Sequence, residues 1–316
     1  MEKIYTTILI AFVISLVLSP LLIPLLRRLK FGQQIRGQGP QSHHEKSGTP
    51  TMGGIIFLFA ALISLLIIAS WDTELVVLIF ITMGTGLIGF LDDYTKVVKK
   101  QSLGLKARHK ILGQLLIVAV FGVYLFLINH STEIVIPFTD FAIDLGMGYY
   151  IFLALMVLGT TNAVNITDGL DGLATGVVVI CMTSFVILAH MANLSGTAVF
   201  GSAIIGACAG FLIFNLHPAK IFMGDVGSLA LGSALAGMAV MTKAELALVI
   251  IGLTLVIETL SVICQVIYYQ TTGDRILLMS PLHHHFELKG WSEWKVVLLF
   301  WLFTLLTAGF GVISVF

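Results

Sequence analysis

The chain has 316 residues, with 17 basic and 17 acidic side chains, and only 11% of its residues are charged. A soluble domain carries charge on about a quarter of its residues, so this composition excludes an ordinary soluble protein. The net charge of zero gives no general attraction for nucleic acid. A mean hydropathy of +1.02 indicates an integral membrane protein with little mass outside the bilayer.

Ten apolar runs along the chain are long enough to cross a membrane. A helix needs about 20 residues to cross ~30 Å of hydrocarbon, and continuous rather than alternating hydrophobicity favours helices over barrel strands. No small-residue cleavage site follows the first run, so it is interpreted as a span and not as a removed signal. The predicted spans are 4–26, 52–70, 75–91, 111–128, 148–164, 173–190, 198–214, 227–242, 246–267 and 296–315.

The basic residues fall almost entirely in the loops on one side of this topology. The opposite side holds only Lys3 and Lys243. The positive-inside rule then predicts that the basic loops are cytoplasmic and that both termini lie on the outer, periplasmic or extracellular, face. The predicted fold is all-α, a polytopic membrane protein with a single transmembrane domain over residues 1–316. The basic loops contain Arg27, Arg28, Lys30, Arg36, Lys46, Lys96, Lys99, Lys100, Lys106, Arg108, Lys110, Lys220, Arg275, Lys289 and Lys295.

Two adjacent carboxylates, Asp92 and Asp93, end the third span. They repel each other, and Mg²⁺ carrying phosphate oxygens would relieve that repulsion, because Mg²⁺ takes one or two carboxylates together with substrate phosphates. The alternative is a solvated helix end with neighbouring lysines. The outer connection 129–147 is expected to hold a short hairpin without a chemical role.

The segment from Asn165 to Gly172 is the strongest local signal of a functional site. Asn165, Asp168 and Asp171 are three residues apart, which places them on one face if the segment is helical. Gly169 and Gly172 leave room for a ligand or for a bent backbone. The alternative is a polar turn between two helices.

Asp225 lies in a Gly-Asp-Val-Gly-Ser sequence that precedes the eighth span. The free N–H groups of a helix start suit an anion, although Asp225 could instead be a helix N-cap. The basic, glycine-rich loop 36–54 suits an anionic substrate or a lipid headgroup, or is simply solvated. Inside the ninth span, Glu258 is a charge that costs roughly 2.5–3.5 kcal/mol if unpaired, so it is expected to be protonated, paired or facing a groove, and it could mark a bend.

Three successive histidines, His283, His284 and His285, lie between the last two spans. Consecutive residues cannot easily share one small ion, so hydrogen bonding to a phosphate or a base is favoured over a zinc site.

Together these segments resemble the bacterial phospho-N-acetylmuramoyl-pentapeptide transferases, within the polyprenyl-phosphate N-acetylhexosamine-1-phosphate transferase superfamily. The resemblance covers the whole chain. It implies transfer of phospho-MurNAc-pentapeptide from UDP-MurNAc-pentapeptide to undecaprenyl phosphate, giving lipid I and UMP in peptidoglycan synthesis, with Mg²⁺ as cofactor. It also implies a homodimer in the bacterial inner membrane. The motifs that carry it are Gly48–Gly54, Phe90–Asp93, Asn165–Gly172, Phe222–Ser228 and Pro281–Glu287.

The resemblance implies a role for each polar segment. Asp225 is expected to be the main magnesium ligand, with Asp93 as a second. The expected catalytic residues are Asp92, Asp93, Asp168, Asp171, Asp225 and His283, and the expected substrate-binding residues are Lys46, Lys96, Lys110, Asn165, Asn215, His284 and His285.

The chemistry favours a single displacement. A phosphate monoester has a second pKa near 6, so the lipid phosphate is largely a dianion at neutral pH and needs little help from a base. Asp92 would position or deprotonate it. A covalent phospho-aspartate is the alternative mechanism. A sister enzyme that transfers GlcNAc-1-phosphate, and an ion-coupled transporter, are the alternative functions. A transporter would place its charges at mid-membrane, whereas here they lie at span ends.

Overall fold

The computed structural model describes residues 1–28, 48–98 and 104–315, and within them the chain is mainly helical. One short antiparallel pair of strands interrupts the helices. The elements are α1 (Glu2–Arg28), α2 (Gly54–Ile68), α3 (Thr73–Val98), α4 (Ala107–Leu127), β1 (Glu133–Val135), β2 (Ala142–Asp144), α5 (Gly148–Thr167), α6 (Leu173–Met191), α7 (Ser195–Asn215), α8 (Gly224–Met241), α9 (Ala247–Ile251), α10 (Leu253–Thr272), α11 (Leu282–Leu288) and α12 (Glu293–Ile313).

Nine helices in these described ranges are long and apolar enough to cross a membrane. They correspond to nine of the ten predicted spans. The remaining one, α2, has 15 residues and is therefore shorter than the about 20 that a single crossing needs. The chain is a multi-pass membrane protein, as its composition predicts.

Helix α8 lies at the centre of the bundle. Every residue from Val226 to Met241 is buried, and the helix packs against α2, α3, α5 and α6. Its sequence is rich in Gly, Ala and Ser, which allow helices to approach closely where lipid provides no hydrophobic driving force. The outer helices α1, α4 and α12 instead expose large apolar side chains, as lipid-facing surfaces do.

The ninth predicted span is divided into two helices. Helix α9 ends at Ile251, α10 begins at Leu253, and Gly252 lies between them. The sequence offered Glu258 as the mark of a bend, and this interpretation is wrong. The break lies six residues earlier, and Glu258 is a fully buried residue within α10.

The end of the bundle away from the polar motifs carries both chain ends. Lys3 donates to the hydroxyl of Ser70, and the backbone N–H of Phe138 donates to the carbonyl of Ser314. The predicted hairpin lies here, with Ile134 of β1 opposite Ile143 of β2. The hairpin prediction is therefore confirmed.

The His130 imidazole, at this end of the bundle, provides a pH-dependent element of stability. Burial, and secondarily the charge of Lys243, lowers the pKa of His130 to about 4. In the unfolded chain a histidine titrates near 6.5, so the unfolded state binds the proton first as the pH falls. This histidine should therefore cost stability progressively between about pH 6.5 and pH 4.

We expect His130→Phe to reduce the loss of melting temperature that the detergent-solubilised wild type shows between pH 7.5 and pH 5. The matched control is His190→Phe, since His190 is exposed near the end of α6. The control should retain the pH dependence of the wild type. An identical dependence in all three proteins contradicts this account.

Candidate active site

The polar site is built where α3 and α8 touch. A side chain on Gly89 of α3 would overlap the carbonyl oxygen of Asp225 in α8. Only glycine therefore permits this contact. Asp92 and Asp93 follow on the next turn of α3, so the close approach carries both carboxylates to the start of α8.

A Gly89→Ala substitution should force α3 and α8 apart and so damage the site. We expect it to lower the melting temperature. We also expect it to reduce kcat by more than about 100-fold, because displacements of about 1 Å at a reacting centre can cost that much. Gly159→Ala is the control, since a side chain there meets no atom within 4 Å. Equal behaviour of the two variants would contradict this packing argument.

Three carboxylates, those of Asp92, Asp93 and Asp225, meet at this contact. One oxygen from each lies within 4.8 Å of the others. Asp92 and Asp93 are almost completely buried. The sequence predicted a role for all three, and the structure brings them together although more than 130 residues separate the pair from Asp225.

Two lysines and an asparagine complete this carboxylate cluster. Lys96 Nζ lies 2.6 Å from Asp92, 3.1 Å from Asp93 and 3.2 Å from Asp225. Lys110 Nζ lies 2.7 Å from Asp225 Oδ2, and the Asn165 amide donates to Asp225 Oδ1 at 2.9 Å. Each of these residues was predicted to bind substrate. Here they hold the carboxylates.

Asp225 does not act as a helix N-cap. Helix α8 begins at Gly224, the N-cap position is Met223, and no side chain caps it. The alternative interpretation of Asp225 is therefore excluded. The free N–H of Val226 does bind an anion, because it donates to Asp93 Oδ2 at 3.2 Å.

Asn165, Asp168 and Asp171 do not share one helical face. Helix α5 ends at Thr167, and residues 168–172 form a turn. This conditional prediction is wrong because the chain leaves the helix before Asp168. Asn165 remains on the helix and reaches the cluster, whereas Asp171 is directed elsewhere.

Asp168 is the first residue after α5 and retains some solvent exposure. Burial, and secondarily the negative charges of Asp225 and Asp93, raises the pKa of its carboxyl to about 8. Asp168 is thus close enough to the carboxylate cluster to respond to its charge, and it binds a proton more readily than an ordinary aspartate.

Asp171 belongs to a second polar group with His217 and Glu293. His217 Nδ1 lies 3.0 Å from Asp171 Oδ2 and 3.0 Å from Glu293 Oε2. The backbone N–H of Ala219 also donates to Asp171, and that of Asp171 donates to Glu293. Neither His217 nor Glu293 was predicted as a site residue, because neither belongs to a run of polar residues with a recognisable spacing in the sequence.

The predicted substrate-binding residue Asn215 lies outside the carboxylate cluster. Its amide oxygen accepts from the hydroxyl of Thr175, and its amide nitrogen donates to the carbonyl of Ile221. Both bonds are internal and buried, so Asn215 fixes the start of the loop that leads to Asp225. Lys46 lies outside the described residues.

The three histidines make three different contacts. His283 Nδ1 lies 2.9 Å from Glu258 Oε2, and both residues are completely buried. His284 Nδ1 lies 2.7 Å from Glu287 Oε2. His285 Nδ1 accepts from the backbone N–H of Leu278. The rings of His283 and His284 lie 4.2 Å apart, but each of the three rings has a different hydrogen-bond partner.

The glycine-rich motif Gly48–Gly54 is joined to the Asp225 motif through main-chain hydrogen bonds. The N–H of Phe222 donates to Pro50, that of Gly53 donates to Phe222, and that of Gly54 donates to Met223. Two motifs that are about 170 residues apart therefore form one seam beside the carboxylates.

The carboxylate cluster has the donor set and charge that Mg²⁺ requires. Three carboxylates face two ammonium groups, those of Lys96 and Lys110. One negative charge remains if all are ionised, and a second if Asp168 is ionised too. Hard oxygen donors with excess negative charge suit Mg²⁺.

The comparisons with known proteins agree with this site. Residues 75–243 match glycosyl transferase family 4, and residues 46–58 match signature 1 of the phospho-N-acetylmuramoyl-pentapeptide-transferases. A protein of that name from Bacillus subtilis (strain 168) is 53% identical over 315 residues, 98% of this chain and 97% of the relative. The chain belongs to this family.

Other members of the phospho-N-acetylmuramoyl-pentapeptide-transferase family are equally similar. The Bacillus velezensis protein is 53% identical over 98% of this chain and 97% of its own length. The Desulfitobacterium hafniense protein is 52% identical over 99% of this chain and 98% of its own length. The resemblance noted in the sequence is therefore confirmed over almost the whole chain, and the transferase class with it.

Proposed function

We propose that this membrane transferase moves phospho-MurNAc-pentapeptide from UDP-MurNAc-pentapeptide to undecaprenyl phosphate, with lipid I and UMP as products. The convergence of Asp92, Asp93, Asp225, Lys96 and Lys110 carries the proposal. Such a group can hold a metal and several phosphate oxygens together, at the ends of spans where a soluble nucleotide and a lipid phosphate can meet.

The reaction breaks one phosphoanhydride and forms another, so the protein need not drive the chemistry uphill. Its task is to align two phosphates that repel each other and to stabilise the charge of the transition state. Lys96 and Lys110 would bind phosphate oxygens, and Asn165 would hold Asp225 in place. Lys46, Asn215, His284 and His285 are proposed to bind substrate, and Asp168, Asp171 and His283 to complete the catalytic site.

Mg²⁺ would be held by Asp225, with Asp93 as a second ligand, and when bound it would neutralise pyrophosphate oxygens and improve UMP as a leaving group. Asp92 is proposed to position the lipid phosphate. Its Oδ1 already accepts the N–H of Leu105, so its carboxylate is fixed at the edge of the cluster.

We propose a single displacement by the lipid phosphate. Incubation with UDP-MurNAc-pentapeptide and Mg²⁺ but without undecaprenyl phosphate should then release no UMP and leave no phospho-aspartate. Release of one UMP per protein molecule under these conditions would establish the covalent alternative.

The substrate assignment is tested by a UMP-release assay on the purified protein. UDP-MurNAc-pentapeptide and UDP-GlcNAc are each offered with Mg²⁺ and undecaprenyl phosphate. We expect a lipid-linked product only from the first. A product only from UDP-GlcNAc identifies the sister enzyme, and substrate-dependent currents without UMP identify a transporter.

The proposal includes a topology and an assembly. The whole chain, residues 1–316, would be one catalytic domain in the bacterial cytoplasmic membrane, with the carboxylates on the cytoplasmic face and both termini outside. The excess of Lys and Arg on the carboxylate side supports this orientation. A homodimer is proposed from the family resemblance.

A further inference from the structure

The buried carboxylate of Glu258 makes two contacts with one residue of the histidine motif. Its Oε1 accepts the backbone N–H of His283 at 3.2 Å, and its Oε2 lies 2.9 Å from His283 Nδ1. Glu258 belongs to α10, whereas His283 belongs to α11. One carboxylate therefore fixes both the main chain and the ring of His283.

The contact between Glu258 and His283 joins two completely buried side chains. Glu258 and His283 each have no exposed surface. Inside a membrane protein a charged or hydrogen-bonding side chain is expensive to bury unless a partner satisfies it. The pair is thus an internal contact in which each group satisfies the other.

The contacts of Glu258 determine which ring nitrogen carries the proton. An ionised Glu258 has only acceptor oxygens, so Oε1 accepts the backbone N–H of His283 and Oε2 accepts the Nδ1–H of its ring. In a neutral imidazole the other nitrogen is then a free acceptor. That atom, Nε2, is buried and has no hydrogen-bond partner within the described residues.

The unpartnered Nε2 faces the turn that follows α5. A side chain on Gly169 would overlap Nε2 of His283, so the ring fills the space that this glycine leaves open. Gly169 directly follows Asp168, whose carboxyl senses the charges of the carboxylate cluster. His283 is thus packed against the backbone of the turn that carries Asp168.

We propose that Glu258 is a positioning residue of the transfer reaction, which fixes the ring and tautomer of His283 so that Nε2 is held at the Asp168–Gly169 turn. This role rests on the proposed function. Glu258 itself would not touch substrate. It would act through His283, as the carboxylates beside functional histidines generally do.

The test combines Glu258→Gln, His283→Asn and the double variant. The glutamine keeps the shape but can donate its amide N–H to Nδ1, which would move the ring proton to Nε2. We expect kcat to fall about 10–100-fold in Glu258→Gln, with KM for UDP-MurNAc-pentapeptide changed less than about threefold. The double variant should be within about threefold of His283→Asn alone, because the two residues act as one unit.

Glu245→Gln is the matched control. Glu245 is also buried and hydrogen-bonded, by the hydroxyl of Tyr149, but lies at the opposite end of the bundle. Its kcat should match that of the wild type within about twofold. A wild-type kcat in Glu258→Gln, or losses that multiply in the double variant, would overturn the proposal.

A spectroscopic readout separates this proposal from the proposed function. In protein labelled with ¹⁵N-histidine, the signals lost in His283→Asn identify the ring of His283. We expect Nδ1 to be protonated in the wild type and Nε2 in Glu258→Gln, without any substrate present. An unchanged tautomer contradicts the positioning role. If Glu258→Gln changes the tautomer of His283 as expected but the wild type releases no UMP, the proposed function is contradicted and the positioning of His283 is not.

Glu258→Asp is a control for the case in which Glu258→Gln loses activity only because it misfolds. Glu258→Asp retains the charge and should keep Nδ1 protonated, with kcat between those of the wild type and Glu258→Gln. If Glu258→Asp is no more active than Glu258→Gln while its ring keeps the wild-type tautomer, the tautomer is not what Glu258 contributes, and the proposal fails.

Discussion

Asp225→Asn should abolish nearly all UMP release while the protein still folds. Asparagine keeps the size of the side chain and one oxygen acceptor, but it removes the charge that Lys110 and Lys96 share. It also places an amide N–H₂ against either Lys110 or Asn165. Loss of a buried charge that is organised for the transition state typically costs about 10²–10³ in turnover, and loss of a metal ligand adds to it.

The measurement is kcat for UMP release at saturating Mg²⁺, with Asp72→Asn as the control. Asp72 caps the start of α3 at the opposite end of the bundle, where asparagine caps equally well. Its activity should match that of the wild type. Full activity of Asp225→Asn at the Mg²⁺ concentration that saturates the wild type would contradict the assignment of Asp225 as a metal ligand.

Lys96→Met should be the most damaging substitution of a basic residue at the site. Lys96 is the one cation in the described chain that contacts all three carboxylates. Without it, only Lys110 would offset the repulsion among them. Methionine fills similar space without charge. We expect kcat to fall about 100-fold, and the Mg²⁺ concentration at half-maximal activity to change, because the local negative charge increases.

The Mg²⁺ titration distinguishes this electrostatic effect from misfolding. Lys289→Met is the control, since Lys289 is exposed at the end of α11 on the same side of the bundle. It should leave both kcat and the Mg²⁺ dependence unchanged. A variant Lys96→Met with an unaltered Mg²⁺ dependence would show that Lys96 does not balance the carboxylates.

Much of the fold was predictable because hydrocarbon imposes a length and a composition on each span. Nine of the ten predicted spans correspond to long helices. The exceptions are local. Helix α2 begins only at Gly54, where the main-chain seam with residues 222–223 ends, and hydropathy does not predict the break of the ninth span at Gly252.

The site was predictable where charge stands out from an apolar background. Asp92, Asp93 and Asp225 were identified on that basis and do meet. Contacts between polar side chains of different segments were not predictable. Nothing in the sequence indicates that Glu258 pairs with His283, or that Asp171 pairs with His217, because these contacts depend on tertiary packing.

The seam between residues 50–54 and residues 222–223 is made by main-chain groups, which every amino acid carries. Substitution of side chains cannot remove those donors and acceptors, and proline is the one residue that lacks an N–H. Close relatives that differ at almost half their positions can therefore retain the same seam. Substitutions at Phe222 and Met223 therefore leave the donors and acceptors of the seam in place, whereas any side chain at Gly54 would overlap the backbone of Gly227.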